Sequence, residues 1–382
     1  MYARTLQVNK ILEQTSLFLF GPRGVGKSTL IQAQLPDVFM IDLLDFDIYQ
    51  SLMRRPKILE EWIAPTVKKV VIDEIQKIPE LLDIVHRLIE NRKIKFLLTG
   101  SSARKLRRSG TNLLGGRARE YHLFPLTSHE IGIEQLNLLD VFNRGTLPKV
   151  FLSNEPEEDL RSYVQLYLLE EIKAEALVRR LEQFVRFLDV MGVSNGEELH
   201  FTNLANDTGV AARTLEGYIQ VLNDTLVGFQ VFPFHKTVQR KAIHRSKFYF
   251  FDVGVAGYLA KRSLIKERSE LYGRALEHFI AIELRAALEY FRQRHQLMYW
   301  RTKNGFEVDF VVGDRFAVEV KATDRVSMSD LRGLKALAEE KKIRHYFVVC
   351  QESQLRYHED IQIMPVKVFL QRIWQASWWS EL

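Results

Sequence analysis

The sequence predicts an α/β protein: a parallel sheet built around a phosphate-binding loop, then a helical segment with the outline of a winged helix, then a second α/β unit. Three observations predict it. Over residues 1–152, short apolar strands alternate with helical patterns, the rhythm of a parallel sheet covered on both faces. The stretch "FLFGPRGVGKSTLIQAQL" (18–35) runs from an apolar strand through a glycine-rich loop into a helix. Far downstream, "GFEVDFVVGDRFAVEVKA" (305–322) alternates apolar and polar residues on both sides of a short turn, the pattern of a hairpin.

Taken in order, the first unit's strands are expected at 17–20, 39–42, 70–73, 96–99 and 120–123. The acidic, proline-containing "SNEPEEDL" (153–160) starts a helix after a boundary. A second unit, 153–262, is helical at first. Its "LANDTGVAARTLEGYIQVL" (204–222) fits two short helices joined at Gly209, with Leu204, Val210, Leu215, Ile219 and Leu222 spaced to close a small core. The alternating "FQVFPF" and "KFYFF" follow as strands around a basic loop, which completes a winged-helix outline. The third unit, 263–382, opens with a long helix (269–292). Strands to residue 322, a helix (329–341) and strands at 346–349 and 366–369 follow.

The bulk properties limit the function classes. A hydrophobic fraction of 46% and a charged fraction of 27% belong to an ordinary soluble globular chain. The formal charge of +6 leans towards an anionic partner. The single cysteine, Cys350, excludes a disulfide framework or a cysteine-built zinc site within one chain and suits a reducing compartment. The first twenty residues lack a secretory pattern, and no apolar run approaches the roughly 18 residues of a membrane span. A cytoplasmic protein without membrane contact is expected.

Gly21-Pro-Arg-Gly-Val-Gly-Lys-Ser satisfies G-x-x-x-x-G-K-[ST]. The glycines let backbone N–H groups wrap phosphates, and the following helix adds its N-terminal dipole. The nucleotide-contacting set is therefore Gly21, Arg23, Gly24, Val25, Gly26, Lys27, Ser28 and Thr29. Lys27 neutralises phosphate oxygens, and the Ser28 hydroxyl is a ligand for Mg²⁺. The apolar strand in "KKVVIDEIQ" ends in Asp73, placed for the metal, and Glu74, placed to orient an attacking water. "KFLLTGSSA" offers Thr99 or Ser101 as a γ-phosphate sensor. Arg117 and Arg119 sit just before the next strand. Either projects into a neighbouring subunit's nucleotide, which needs self-association, or stays on its own surface or folds back in cis.

The order "GPRGVGKST", "VVIDEIQKIPE", "FLLTGSSARKL", "LLGGRA", "YHLFPLTSHE" resembles the AAA-type ATPase domain of a large family of uncharacterised prokaryotic ATPases. In that family a P-loop domain precedes a C-terminal domain of unknown function. "FYFFDVGVAGYL" and "GRALEHFIAIEL" extend the resemblance over nearly the whole chain. It implies an AAA-type P-loop domain that binds ATP with Mg²⁺ and hydrolyses it. "RGTLPKVF" departs from the pattern, which has a glycine pair before the proline segment.

In the downstream hairpin, symmetry about Asp314 pairs residue 310 with 318 and 308 with 320. Phe306, Val308, Phe310 and Val312 then share one face with Phe316, Val318, Val320 and Ala322. The other face sets Asp309 opposite Glu319 and Glu307 opposite Lys321. Two opposed carboxylates make a divalent-cation site, and a nearby lysine can stabilise phosphorane charge. The plain alternative is an amphipathic hairpin with a salt-bridged outer face. The pattern resembles the D…E-x-K core of restriction-endonuclease-like nucleases. That resemblance implies Asp309 and Glu319 as ligands for Mg²⁺ or Mn²⁺, Lys321 as the residue that assists the attack, and Glu277 as a further ligand, with Glu283 second choice.

The expected wing "HKTVQRKAIHRSK" (235–247) carries five Lys/Arg and no acid, and Arg213 and Thr214 open the candidate recognition helix. "ARKLRRSG" (103–110) reads as a solvated basic loop, and Trp374, Trp378 and Trp379 as packing residues. The sequence thus leads to an ATP-driven DNA-processing enzyme. Its rival is a nucleotide-switched signalling or assembly ATPase, with an inactive nuclease core and a protein partner.

Overall fold

The computed structural model describes residues 2–101, 106, 114–168, 181–237, 240 and 242–382. The basic stretch at 103–110, apart from Leu106, and Lys241 of the expected wing lie outside the described residues.

The first sheet contains β1 (Ser16–Phe20), β2 (Phe39–Asp42), β3 (Lys69–Asp73), β4 (Lys95–Gly100) and β5 (Ala118–His122). Its order is β2-β3-β4-β1-β5, and every pairing is parallel. The strands are apolar on both faces because both are covered. Leu17 and Leu19 of β1 pack with Val8, Leu12, Leu30 and Ile31 of two helices. Phe18 and Phe20 face the opposite core, with Leu81, Leu82, Val85 and Leu88 of the helix Leu81–Arg92. Inserting β4 between β1 and β3 sets the end of β4 between the loop that follows β1 and the acidic end of β3. That is where an open parallel sheet collects its ligand residues.

The second sheet has the order β12-β13-β11-β10-β9-β8-β6-β7. It contains β6 (Gly228–Pro233), β7 (Lys247–Phe250), β8 (Leu297–Arg301), β9 (Glu307–Val312), β10 (Phe316–Val320), β11 (His345–Cys350), β12 (Arg356–His358) and β13 (Ile361–Pro365). β6 and β7 are the strands expected to flank a wing. β6 also pairs in parallel with β8, so this hairpin ends the second sheet rather than standing alone. The two preceding helices, Phe201–Thr208 and Ala212–Asp224, are joined at Gly209 with φ +68°, the left-handed value that favours glycine. Their predicted core residues are buried, in a cluster that also contains Leu6, Leu30 and Phe187. Arg213 and Thr214 are exposed at the start of the second helix.

Two expectations change. Residues 366–369 open the helix Val366–Ile373 instead of forming a strand. Val366, Phe369, Leu370 and Ile373 are its buried residues, a helical period, and Pro365 ends the preceding strand at the helix N-cap. The hairpin register pairs Phe310 with Val318 as expected, but 308 does not pair with 320. The β8–β9 register shifts between Met298 and Trp300, so Asp309 and Phe310 together oppose Tyr299. This β-bulge turns the strand. Phe310 and Val312 stay with the long helix Glu270–Tyr290, whereas Phe306 and Val308 pack with the helix Arg332–Ala338.

The long helix Glu270–Tyr290 ties the two sheets together. Glu283 accepts hydrogen bonds from Ser128 N (2.8 Å), Ser128 Oγ (2.5 Å) and Trp374 Nε1 (2.7 Å). It is therefore a buried structural carboxyl and no part of the hairpin site. Burial pushes its pKa from 4.5 up to about 7, against the pull of those donors. The folded chain thus holds this proton more tightly than the unfolded chain. Its contribution favours the fold below pH 4.5 and is withdrawn as pH rises through 7. Urea melts of Glu283→Gln and native protein at pH 5 and pH 8 should diverge, the native chain losing on the order of 3 kcal/mol more. No helix among the described residues is long and apolar enough to cross a membrane.

Candidate functional site

The glycine-rich loop joins β1 to the helix Lys27–Gln34. Gly26 at the N-cap has φ +94°, and Gly24 has φ +82°. A side chain on Gly21 would meet Leu123 O at 2.5 Å, so the loop's first position needs glycine for close packing as well. Lys27 is buried, with Nζ donating to Gly21 O (2.7 Å) and Pro22 O (3.2 Å). Arg23, Ser28 and Thr29 are exposed at the loop's surface.

Ser28 Oγ donates to Asp73 Oδ2 at 3.2 Å, so the two predicted Mg²⁺ oxygens, brought from the loop and from β3, already converge. The donor chemistry fits a hard cation. Thr99 Oγ1 donates to Asp73 Oδ1 and accepts from Glu74 N at 3.1 Å. Thr99 therefore positions the acidic pair from β4. Glu74 itself has φ +60°, a left-handed conformation uncommon for a non-glycine residue.

Two contributors carry no sequence signal. Gln76 Nε2 donates to Glu74 Oε2 and to Ser101 Oγ (3.2 Å), linking the expected water-orienting carboxylate to the end of β4. Arg4 donates from Nη1 to Val25 O (2.7 Å) and from Nη2 to Phe124 O (2.6 Å), and pairs through Nε with the buried Glu130 (3.1 Å). It clamps the loop from the chain's start. A cavity of about 650 Å³ beside the loop is lined by Tyr2, Arg4, Gln7, Leu30, Gln34 and Pro148, among others. Arg117 Nε donates to Glu90 on the helix Leu81–Arg92, a pair exposed to solvent.

The second site lies where β9, β10, β7 and the long helix meet. Asp309 Oδ2 accepts from Val320 N at 2.8 Å, capping the ladder where it stops. Glu319 Oε1 pairs with Lys321 Nζ at 2.6 Å, while Glu319 Oε2 is buried without a donor. Burial and the neighbouring Glu319 and Glu277 hold the Asp309 pKa well above its ordinary range. Burial pushes Glu319 up to about 7, opposed by Lys321. Two buried carboxyls that resist ionising, one with an orphaned oxygen, fit a divalent cation.

Glu277 does not fit that role. It accepts from Tyr249 OH at 2.6 Å and from Lys247 Nζ at 3.1 Å. Lys247 Nζ also pairs with Glu307 at 2.9 Å. Burial alone would lower the Lys247 pKa. Tyr249 and the carboxylates of Glu277, Asp309 and Glu307 reverse this and raise it well above normal. Among the described residues, no group of three or more His, Cys, Asp or Glu side chains is arranged to hold a metal ion. Two charges of the expected wing are thus spent internally, since Arg240 pairs with Glu339 and Glu340.

A family model described as an AAA domain matches residues 13–132. Two others, described as domains of unknown function DUF8612 and DUF4143, match residues 135–265 and 272–369. The chain is 26% identical over 328 residues to the uncharacterized protein Rv2008c of Mycobacterium tuberculosis, covering 82% of this chain and 71% of that one. It is 24% identical over 435 aligned positions to the uncharacterized protein MJ1637 of Methanocaldococcus jannaschii, covering 95% and 87%. The solved structure of the replication initiator DnaA bound to AMPPCP and single-stranded DNA overlaps 56% of this chain and 86% of that one. Its sequence identity is 16% and its TM-score 0.27. The AAA-domain match and the loop with its Asp73–Glu74 strand end make the first unit an AAA-type P-loop ATPase domain.

Proposed function

We propose that this chain hydrolyses ATP at its glycine-rich loop and uses the cycle to act on DNA through the β9–β10 site, within three units at 1–152, 153–262 and 263–382. The observation that carries the DNA half is the Asp309–Glu319 pair with an unsatisfied buried oxygen and Lys321 beside it, in one chain with a phosphate loop.

At the loop, the backbone N–H groups and Lys27 hold the phosphates, and the cavity beside Tyr2 and Leu30 takes the nucleoside. Ser28 and Asp73 hold Mg²⁺, which when bound neutralises charge on the phosphate oxygens. Glu74 orients the attacking water, with Gln76 and Thr99 fixing its position. At the hairpin, Asp309 and Glu319 hold one Mg²⁺ or Mn²⁺, which polarises a phosphodiester. Lys321 stabilises negative charge developing on the phosphate oxygens. Arg117, whose pair with Glu90 is solvent-exposed, would reach a neighbouring subunit's nucleotide in a self-associated form.

Capture of Glu277 by Lys247 favours a second reading: a nucleotide-switched ATPase that binds a protein and cuts nothing. ATP turnover measured with and without single-stranded, duplex and branched DNA separates the two. DNA acting through this protein should raise turnover. Turnover that ignores every DNA, with no DNA bound, leaves the second reading.

A further inference from the structure

We propose that Lys247 is a built-in cation of the C-terminal site: its ammonium fills the position between Glu277 and Glu307, so the site takes one divalent ion, on Asp309 and Glu319, and Glu277 is not a ligand. The proposal rests on the reading of Asp309 and Glu319 as a cation site.

The lysine is held in place. It is the first residue of β7, with its Cα fixed on both sides, opposite Val231 of β6 and opposite Glu198. Its side chain is 5% exposed, and Nζ lies 3.1 Å from Glu277, 2.9 Å from Glu307 and 5.4 Å from the centre of the Tyr299 ring. Tyr249 OH donates to the same Glu277 oxygen. An ammonium with two carboxylate partners and an aromatic face loses both ion pairs and the ring contact if it leaves this position.

Access does not explain the arrangement. Glu277 and Glu307 line a cavity of about 350 Å³ with Glu198, Arg274 and Arg301, so an ion from solvent could reach them. The ammonium occupies that position instead. The ion pairs agree. Lys247 and Arg301 serve Glu198, Glu277 and Glu307, and Lys321 serves Oε1 of Glu319. None of these pairs includes Asp309, and Oε2 of Glu319 has no donor, so the open position lies at Asp309 and Glu319 and not at Glu277.

The test is a Mn²⁺ titration of the full chain carrying Asp73→Asn, which silences the Ser28–Asp73 site, followed by the electron paramagnetic resonance signal of free Mn²⁺. This chain, native at the C-terminal site, should bind one Mn²⁺. Glu319→Gln should weaken binding tenfold or more, while Glu277→Gln should change affinity less than twofold. Lys247→Met should bind a second Mn²⁺, melt several degrees lower than this chain without metal, and recover with Mn²⁺. Two ions on this chain, or a tenfold loss in Glu277→Gln, overturns the proposal and leaves the cation site standing. No Mn²⁺ on this chain overturns the cation site itself. Should Lys247→Met fail to fold, Glu277→Gln decides alone.

Discussion

Replacing Glu74 with glutamine lowers ATP turnover by about 10²–10⁴-fold and leaves nucleotide binding unchanged. The argument is positional. Glu74 follows the last residue of β3, in a left-handed backbone conformation that ends the strand. Thr99 fixes its N–H, and the Gln76 amide meets its carboxylate. Glutamine keeps the size and the backbone, and loses the charge that orients and accepts from a water. Lys27, the loop N–H groups, Ser28 and Asp73 are untouched, so affinity for a fluorescent ATP analogue should stay within about twofold, the range expected when no binding contact is removed. Lys27→Ala makes the contrast, because it removes binding. Single-turnover hydrolysis and equilibrium titration separate the two. Turnover retained in Glu74→Gln would mean that another group orients the water.

What was legible in the sequence follows from how local each requirement is. The loop is eight consecutive residues whose chemistry needs that spacing, so it reads directly. Asp73 and Glu74 read from a buried strand ending in acid. The pairing of Phe310 with Val318 reads from alternation about a Gly-Asp turn. The bulge at Asp309 does not, because it is set by how β8 pairs, not by β9 alone. The stretch at 366–369 looks extended because of its valines. Its helical period appears only when Leu370 and Ile373 are counted and Pro365 is read as a stop. Arg4, Gln76 and Lys247 act through side chains whose partners lie elsewhere in the sequence or in no recognised spacing. In sequence Lys247 is a wing charge, because its burial depends on β6 joining the second sheet.

Asp309→Asn should abolish metal-dependent DNA cleavage and at the same time stabilise the fold. Both effects come from one cause. Asp309 and Glu319 are buried like charges whose pKa values are raised, so ionising them costs folding free energy. A group with a raised folded pKa favours the fold at low pH and ceases to do so as pH rises. Asparagine keeps an oxygen for Val320 N and removes one charge. The variant should therefore melt higher than native at pH 8, by about 2–4 °C for each kcal/mol recovered. At pH 5, where Glu319 is protonated in both, the gap should shrink. Cleavage should fall by at least about 10²–10³, the cost of removing one group that stabilises transition-state charge. Mn²⁺ should raise the native midpoint more than the variant's, which keeps only the Ser28–Asp73 site, since a ligand stabilises only the state that binds it. An amphipathic hairpin with a plain salt-bridged face behaves differently: its Asp→Asn change loses an ion pair, lowers the midpoint slightly, and leaves the response to Mn²⁺ unchanged. The joint outcome, higher stability with lost cleavage and weakened metal response, is what marks a site whose charges are held against the fold for the sake of a ligand.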